Sequence, residues 1–312
     1  MVASDLHILE FAASDKWLAG FMARFGLSMR RTTNLTVLDD EELTYGAVRY
    51  MAFLGYLKPS ENLSRAMLMD KTAVYFENSK RQTVDITGAR HVVLRLSGLG
   101  SMRMTVVLAV SALGKKLTPL IIWKGANQGS KIQKISTWID MMFPTVLDHG
   151  KGKFLVWDSM RAHIFKATKA KCEEKGVGMC VIPGGLTSYL QAGDIGIYSY
   201  FKEKLSSFIK AWKSSDQVDY TRGGNPRPPT IEIVSSWVTL AWKGVPDTMV
   251  QNSVAAAGFS DEPTKWHIAR HDVYGDLFRM NWLDRERRDF DPLLLSQSLI
   301  DTIDDSTIED YR

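Results

Sequence analysis

The stretch FLVWDSMRAHIFKATKAKCEEKGVGMCVI, residues 154–182, decides the fold class of this protein. It opens with an apolar run at 154–158 and continues with a helical pattern over 162–175, which Gly176 ends. A second apolar run follows at 178–182. Two strands joined by a helix predict a parallel crossover, so the chain is expected to be an α/β protein.

The sequence on either side of this unit extends the prediction. Upstream, β-branched and apolar runs separated by turn signals predict three or four consecutive strands in an antiparallel meander. These runs are 66–76, 83–87, 91–97 and 102–114. Downstream, apolar residues spaced three and four apart from Tyr198 to Trp212 predict a long helix whose stripe packs on the core.

Composition excludes several classes of protein. The chain has 312 residues, 45% hydrophobic and 24% charged, which rules out a wholly disordered, collagen-like or coiled-coil chain. The longest apolar run, 105–114, is too short to cross a bilayer, and no targeting peptide or membrane partner is expected. Two isolated cysteines, Cys172 and Cys180, exclude a disulfide framework or a four-cysteine zinc site and favour a reducing compartment.

Charge is unevenly distributed along the chain. The formal net charge is +4, but residues 284–312 carry nine acids and four bases, a net −5, so residues 1–283 carry +9. A basic body suits a polyanionic partner such as nucleic acid. On charge alone, a mixed solvated surface explains the pattern equally well.

Three aspartates stand out by position. Asp70 interrupts an apolar strand, Asp158 ends the strand FLVWD, and Asp194 precedes Tyr198 by four residues. If the strands 66–76 and 154–158 are neighbours, these carboxylates converge and repel one another, and divalent cations relieve that repulsion. Such a site suits phosphodiester cleavage by a metal pair. Taken singly, each aspartate is equally a turn, a helix cap or a surface charge.

Several motifs occur together and in order: MDKTAVYF (69–76), LVWDSMRAH (155–163), IPGGLTSYLQAGDIGIYSYFKEKL (182–205) and SSWVTLAWKGVPDTMVQNSVAAAG (235–258). They resemble the DDE superfamily endonuclease domain of pogo/Tigger/jerky-like transposases, a group that includes centromere-protein-B-like proteins. The resemblance implies an RNase H-like fold, with a mixed five-stranded sheet flanked by helices and extra N- and C-terminal helices.

The resemblance also implies a chemistry. It places the catalytic, metal-binding triad on Asp70, Asp158 and Asp194, with Mg²⁺ or Mn²⁺ supporting DNA cleavage and strand transfer in the nucleus. DNA is then the expected partner, and a homodimer is considered. His163 and Gln191 are accessory candidates; His163 is alternatively a helix cap or a packed polar residue, and Gln191 alternatively forms a capping box with Ser188.

The chain departs from the family pattern in two places. Ala192-Gly193 stands where the family usually has Pro-Leu, which is expected to loosen the start of the Asp194 helix and weaken metal binding. Only residues 1–33 resemble the last helix of a centromere-protein-B-type helix-turn-helix, and a lone helix cannot read a major groove. The basic residues assigned to DNA binding there are Arg24, Arg30 and Arg31.

The predicted organisation is therefore a helix-turn-helix remnant (1–33), a linker (34–65), a catalytic domain (66–222), family C-terminal helices (223–260) and an acidic tail expected to be partly disordered (261–312). The leading hypothesis is a DDE endonuclease core. The rival is a domesticated or degenerate, non-enzymatic DNA- or chromatin-binding derivative, and a third possibility is a decayed element copy without selected function. A truncated N-terminus favours these rivals, whereas intact aspartates favour the enzyme.

Overall fold

A computed structural model describes residues 14–25, 38–58, 66–77, 102–123, 131–143, 153–159, 166–222, 224 and 226–285. It divides the chain into two units, 1–37 and 38–312. In the first unit, helix α1 (Asp15–Arg24) begins where the Ser14 hydroxyl accepts a hydrogen bond from the Trp17 backbone N–H. Its aromatic rings stack along one face, with Phe21 between Trp17 and Phe25.

The second unit is built on one five-stranded mixed sheet. Its strands are β1 (Ala66–Tyr75), β2 (Arg103–Ser111), β3 (Leu120–Trp123), β4 (Phe154–Asp158) and β5 (Gly178–Ile182). Their order across the sheet is β3-β2-β1-β4-β5. The strands β1, β2 and β3 pair antiparallel, whereas β4 pairs parallel with both β1 and β5. The predicted parallel crossover is present. Of the predicted meander, the first and last strands are observed as the antiparallel pair β1 and β2, and β3 is a further strand that the sequence analysis did not predict.

Helices cover both faces of this sheet. They are α2 (Asp40–Leu57), α3 (Lys131–Met142), α4 (Lys166–Glu174), α5 (Thr187–Leu190), α6 (Tyr198–Lys213), α7 (Ile231–Lys243), α8 (Asp247–Val254) and α9 (Gly275–Asp284). Two π-helical turns occur, Gly193–Ile197 before α6 and Ala255–Phe259 after α8. Two short 3₁₀ turns, Pro263–Lys265 and Ile268–Arg270, precede α9.

The side chains of the central strands point alternately to the two faces of the sheet, and each face has its own hydrophobic core. On one face, Leu68 and Val156 belong to a large core with the apolar sides of α2, α6, α7 and α9. On the other face, Leu155 and Trp157 pack with α3 and α4 in a smaller core. Because successive strand residues point to opposite faces, every second residue of β1 and β4 faces the larger core. Asp70 lies in the same register as Leu68, on the α6 side of the sheet.

The structure revises two predicted boundaries. Residues 40–57, assigned to a linker, form the long helix α2, whose Leu43, Ala47 and Leu54 are buried in the larger core. Residues 263–284, assigned to the acidic tail, include Phe278, which is also buried there. The helices α2 and α9 pack against each other, and both belong to the larger core.

Some sequence predictions fall outside the described ranges. The predicted strands 83–87 and 91–97 lie there, as do residues 286–312. Within the part of the chain that the structure describes, no helix is both long enough and apolar enough to cross a lipid bilayer.

Candidate active site

The strand register brings two of the three aspartates side by side. The parallel ladder pairs Leu68 of β1 with Val156 of β4. Asp70 and Asp158 each lie two residues beyond this last pair, and the charge of Asp158 raises the pKa of Asp70. Neighbouring strands lie about 4.8 Å apart, and both carboxyl groups point to the face that α6 covers. The juxtaposition predicted from the sequence is therefore observed.

The third aspartate is carried by the π-helical turn Gly193–Ile197, which runs directly into α6. In this turn the Tyr198 backbone N–H donates to the Gly193 carbonyl oxygen, five residues earlier, instead of four. Single π turns inserted in α-helices are rare and occur frequently at functional sites. The start of the Asp194 helix is thus widened, at the position where the family proline is missing.

The electrostatics of Asp70 show that the three carboxyl groups share one environment. Asp70 is buried, and its pKa is raised to about 8. Burial is the largest cause, followed by repulsion from Asp194 and then from Asp158. Two hydrogen bonds oppose the shift: the Lys71 backbone N–H donates to Oδ1, and the Tyr198 hydroxyl donates to the carboxylate.

Asp194 is the exposed member of the group. Its side chain reaches solvent, but the surrounding protein still removes enough water to raise its pKa, and Asp158 raises it too. Lys202, on the next turns of the same helix, acts in the opposite direction by stabilising the charged carboxylate. The site therefore has a cation at its rim, which the sequence analysis did not identify because Lys202 lies eight residues from the nearest aspartate.

Tyr198 is the second residue that the sequence analysis missed as part of the site. Its ring is buried, and burial together with the negative charge of Asp70 raises the pKa of its hydroxyl well above the ordinary value. The ring passes over Gly193, where a β-carbon would lie 2.6 Å from the hydroxyl oxygen and closer still to the ring carbons. The apolar stripe of α6 had placed Tyr198 in the core; its hydroxyl in fact reaches the carboxylate group.

A small cavity lies between these side chains. Its volume is about 20 Å³, close to the space that one water molecule needs. Asp70, Gln191, Gly193 and Tyr198 all line it. Gln191 is buried, and its side-chain Nε2 has no hydrogen-bond partner within the protein. The side-chain N–H groups of Gln191 therefore remain available to donate hydrogen bonds in this site.

The structure corrects the capping alternative for Gln191. The short helix α5 begins at Thr187, and its N-cap is Leu186, which makes no side-chain capping bond. Ser188 is therefore inside the helix, and a Ser188–Gln191 capping box does not form. Gln191 instead follows the last residue of α5, and its carbonyl oxygen accepts hydrogen bonds from the N–H groups of residues 194 and 195.

Four candidate residues from the sequence analysis remain. His163, Arg30 and Arg31 fall outside the described residues. Arg24 is exposed at the end of α1, in the first unit. Among the residues whose placement is described, no set of three or more His, Cys, Asp or Glu side chains forms a ready-made metal cage. The three aspartates are close enough to influence one another without converging on one point.

Comparison with known proteins identifies this region. Residues 133–253 match the sequence family described as DDE superfamily endonuclease. The resemblance to pogo-like DDE superfamily endonucleases is confirmed. The chain is 25% identical over 268 residues to a mouse protein, "Pogo transposable element with KRAB domain", and 26% identical over 268 residues to the human protein of the same name. Each match covers 78% of this chain and 44% of the relative, so the chain spans less than half the length of these curated relatives.

Solved structures agree on the fold. The Mos1 mariner paired end complex with Mn shares a TM-score of 0.50 at 12% sequence identity, covering 86% of this chain and 72% of the other. A pre-cleavage Mos1 transpososome gives the same TM-score and identity, covering 78% and 68%. The protein thus has the predicted RNase H-like fold, with a mixed five-stranded sheet flanked by helices.

Proposed function

We propose that this DDE-type endonuclease core cleaves and joins DNA phosphodiesters with the help of divalent cations. The observation that carries the proposal is the grouping of Asp70, Asp158 and Asp194, in which two of the carboxylates raise the pKa of the third. Placing like charges together at the end of parallel strands costs stability, so such an arrangement is typical of a functional site.

The donor set fits Mg²⁺ or Mn²⁺. All three candidate ligands are carboxylates, the hard oxygen donors that these ions prefer. Mg²⁺ usually binds through one or two carboxylates and keeps several waters and substrate phosphate oxygens, so it does not require a cage of three protein ligands. Asp70, Asp158 and Asp194 would hold the ions, which when bound would activate a nucleophile and stabilise charge on the phosphate. A Mos1 complex with a similar fold was solved with Mn.

Residues of the chain itself would orient the substrate. Lys202 is exposed and close enough to Asp194 to favour its charged form, a position that fits contact with a DNA phosphate. The burial of Asp70 keeps water away from one side of the reacting group. The +9 net charge of residues 1–283 would supply long-range attraction for DNA.

The wider setting is part of the same proposal. Action on DNA implies that the protein works in the nucleus, and the pairing of two copies on DNA would make it a homodimer. The curated relatives are named for a pogo transposable element, which supports a transposase-type reaction. The catalytic domain would then comprise at least α2 and β1 through α9.

The test is a nicking and strand-transfer assay on labelled duplex DNA with Mg²⁺ or Mn²⁺. We expect activity in the wild-type protein and its loss in Asp70→Asn, Asp158→Asn and Asp194→Asn, because each removes a negative ligand. The matched control is Asp216→Asn, an exposed aspartate remote in sequence from the site, which is expected to behave like the wild type.

A second pair of variants tests the role of the rim cation. Lys202→Ala should lower cleavage, whereas Lys210→Ala, an exposed lysine later on the same helix, should not. If the wild-type protein binds DNA but neither cleaves nor joins it with either ion, the non-enzymatic rival is the better description. If cleavage survives in the three aspartate variants, the assigned site is wrong.

A further inference from the structure

Tyr198 connects the helix α6 directly with a carboxylate of the sheet. It belongs to the first turn of α6, it is only 5% exposed, and its hydroxyl donates a hydrogen bond to Asp70. A carboxylate in a buried position can take several orientations, of which few direct an oxygen lone pair to a bound cation. A fixed donor on one oxygen selects among them.

The position of the Tyr198 ring depends on Gly193. A β-carbon at residue 193 would be 2.6 Å from the Tyr198 hydroxyl oxygen, too near for any side chain. The π turn brings residues 193 and 198 over one another, because its hydrogen bond joins these same two residues. Gly193 and the widened turn therefore make the room in which the phenol reaches Asp70.

We propose that Tyr198 is a positioning residue that orients the Asp70 carboxylate for a divalent cation, and that Gly193 is required because the ring occupies the space above it. This inference rests on the metal site of the proposed function. It explains why a glycine can replace the larger residue usual in the family: the phenol fills the volume that a side chain at 193 would otherwise occupy.

The test measures Mn²⁺ affinity directly, by calorimetry and by the electron paramagnetic resonance of free Mn²⁺, on the full chain without DNA. Tyr198→Phe removes only the hydroxyl and is expected to weaken Mn²⁺ binding by about 10- to 100-fold, the usual effect of losing a hydrogen bond to a ligating side chain. The matched control is Tyr200→Phe on the same helix, where the ring faces Lys204 at 5.5 Å and not the aspartates. Its Mn²⁺ affinity should equal that of the wild type.

Gly193→Ala provides an independent route to the same effect. The added methyl group must displace the Tyr198 ring from Asp70, so this variant should lose Mn²⁺ affinity as Tyr198→Phe does. Combining the two changes should cost little further affinity, because both remove one interaction. Circular dichroism checks that each variant is folded.

Each result bears on the proposal. Equal Mn²⁺ affinity in Tyr198→Phe and wild type refutes the positioning role and leaves the metal site intact, even if the melting temperature falls. Equal losses in Tyr198→Phe and Tyr200→Phe refute it as well, since the effect then belongs to the helix in general. If the wild-type protein shows no Mn²⁺ binding that Asp70→Asn abolishes, the metal site and this inference both fail.

Discussion

Replacing Asp70 by asparagine is expected to stabilise the metal-free protein at alkaline pH, although it removes a proposed catalytic group. Burial, with repulsion from Asp194 and Asp158, raises the pKa of Asp70 from 3.8 to about 8. The folded chain therefore binds this proton more tightly than the unfolded chain does. Between about pH 4 and pH 8 the unfolded state has lost the proton and the folded state keeps it, so the free energy of unfolding falls as pH rises through this window.

The size of the effect follows from the shift. About four pH units at about 1.4 kcal/mol each give roughly 6 kcal/mol as an upper estimate of the stability lost above pH 8. Asparagine has nearly the same shape, keeps one oxygen to accept the Lys71 N–H, and does not titrate. The stability of Asp70→Asn relative to wild type should therefore increase from pH 5 to about pH 8 and level off above that.

Urea unfolding of both proteins in EDTA, at intervals from pH 5 to pH 9, measures this difference. Asp216→Asn, which changes an exposed carboxylate, should follow the wild type throughout. Adding Mn²⁺ at pH 8 should raise the stability of the wild type and leave Asp70→Asn unchanged, since a ligand stabilises only the state that binds it. If the free energy of unfolding in EDTA depends on pH in the same way for wild type and Asp70→Asn, the pKa of Asp70 is not raised by burial and by the two neighbouring carboxylates.

Three further outcomes are expected. DNA binding by this chain should be weak and insensitive to sequence, because phosphate contacts dominate. Filter binding should show that the affinity for DNA falls more than about tenfold between 50 and 200 mM salt. Tight, salt-insensitive, sequence-specific binding would contradict this prediction. Phe201→Ala removes a fully buried ring that packs against the Trp242 ring. Urea titrations should show that this change lowers the free energy of unfolding by about 3–5 kcal/mol, and a loss below about 1 kcal/mol would refute this packing. Gly258→Ala should lower the free energy of unfolding by about 1–3 kcal/mol, since Gly258 has φ 105° and an added β-carbon would lie 2.7 Å from the Met51 sulfur. An unchanged melting temperature would contradict this strain.

The strands and the position of the aspartates on them could be predicted from local pattern. An uninterrupted apolar run such as 154–158 indicates a buried strand, and a carboxylate at its end stands out because burial of a charge is costly. The parallel crossover then fixes which strand ends meet at one edge of the sheet. For this reason Asp70 and Asp158 could be placed together before any coordinates were known.

The limits of the core could not be predicted in this way. Helices α2 and α9 are far apart in the sequence, yet they pack against each other in the larger core. Local periodicity indicates that such a helix has an apolar side, but it does not identify the partner. The sequence of a helix that packs against a segment far away in the chain can therefore resemble that of a linker or a tail.

The amino-acid sequence by itself indicated the strands at 66–76, 102–114, 154–158 and 178–182, the parallel crossover between the last two, and the three carboxylates, because these depend on alternation and on short connections. The strand β3 and the order of the strands across the sheet came from the tertiary structure. Only the tertiary structure decided that Tyr198 reaches Asp70, that Gly193 lies beneath its ring and that Lys202 stands at the rim. The apolar stripe of α6 predicts burial for Tyr198 but not the direction of its hydroxyl. That direction accompanies the π turn before α6, whose hydrogen bond joins residues 193 and 198 and which hydrophobic spacing does not reveal.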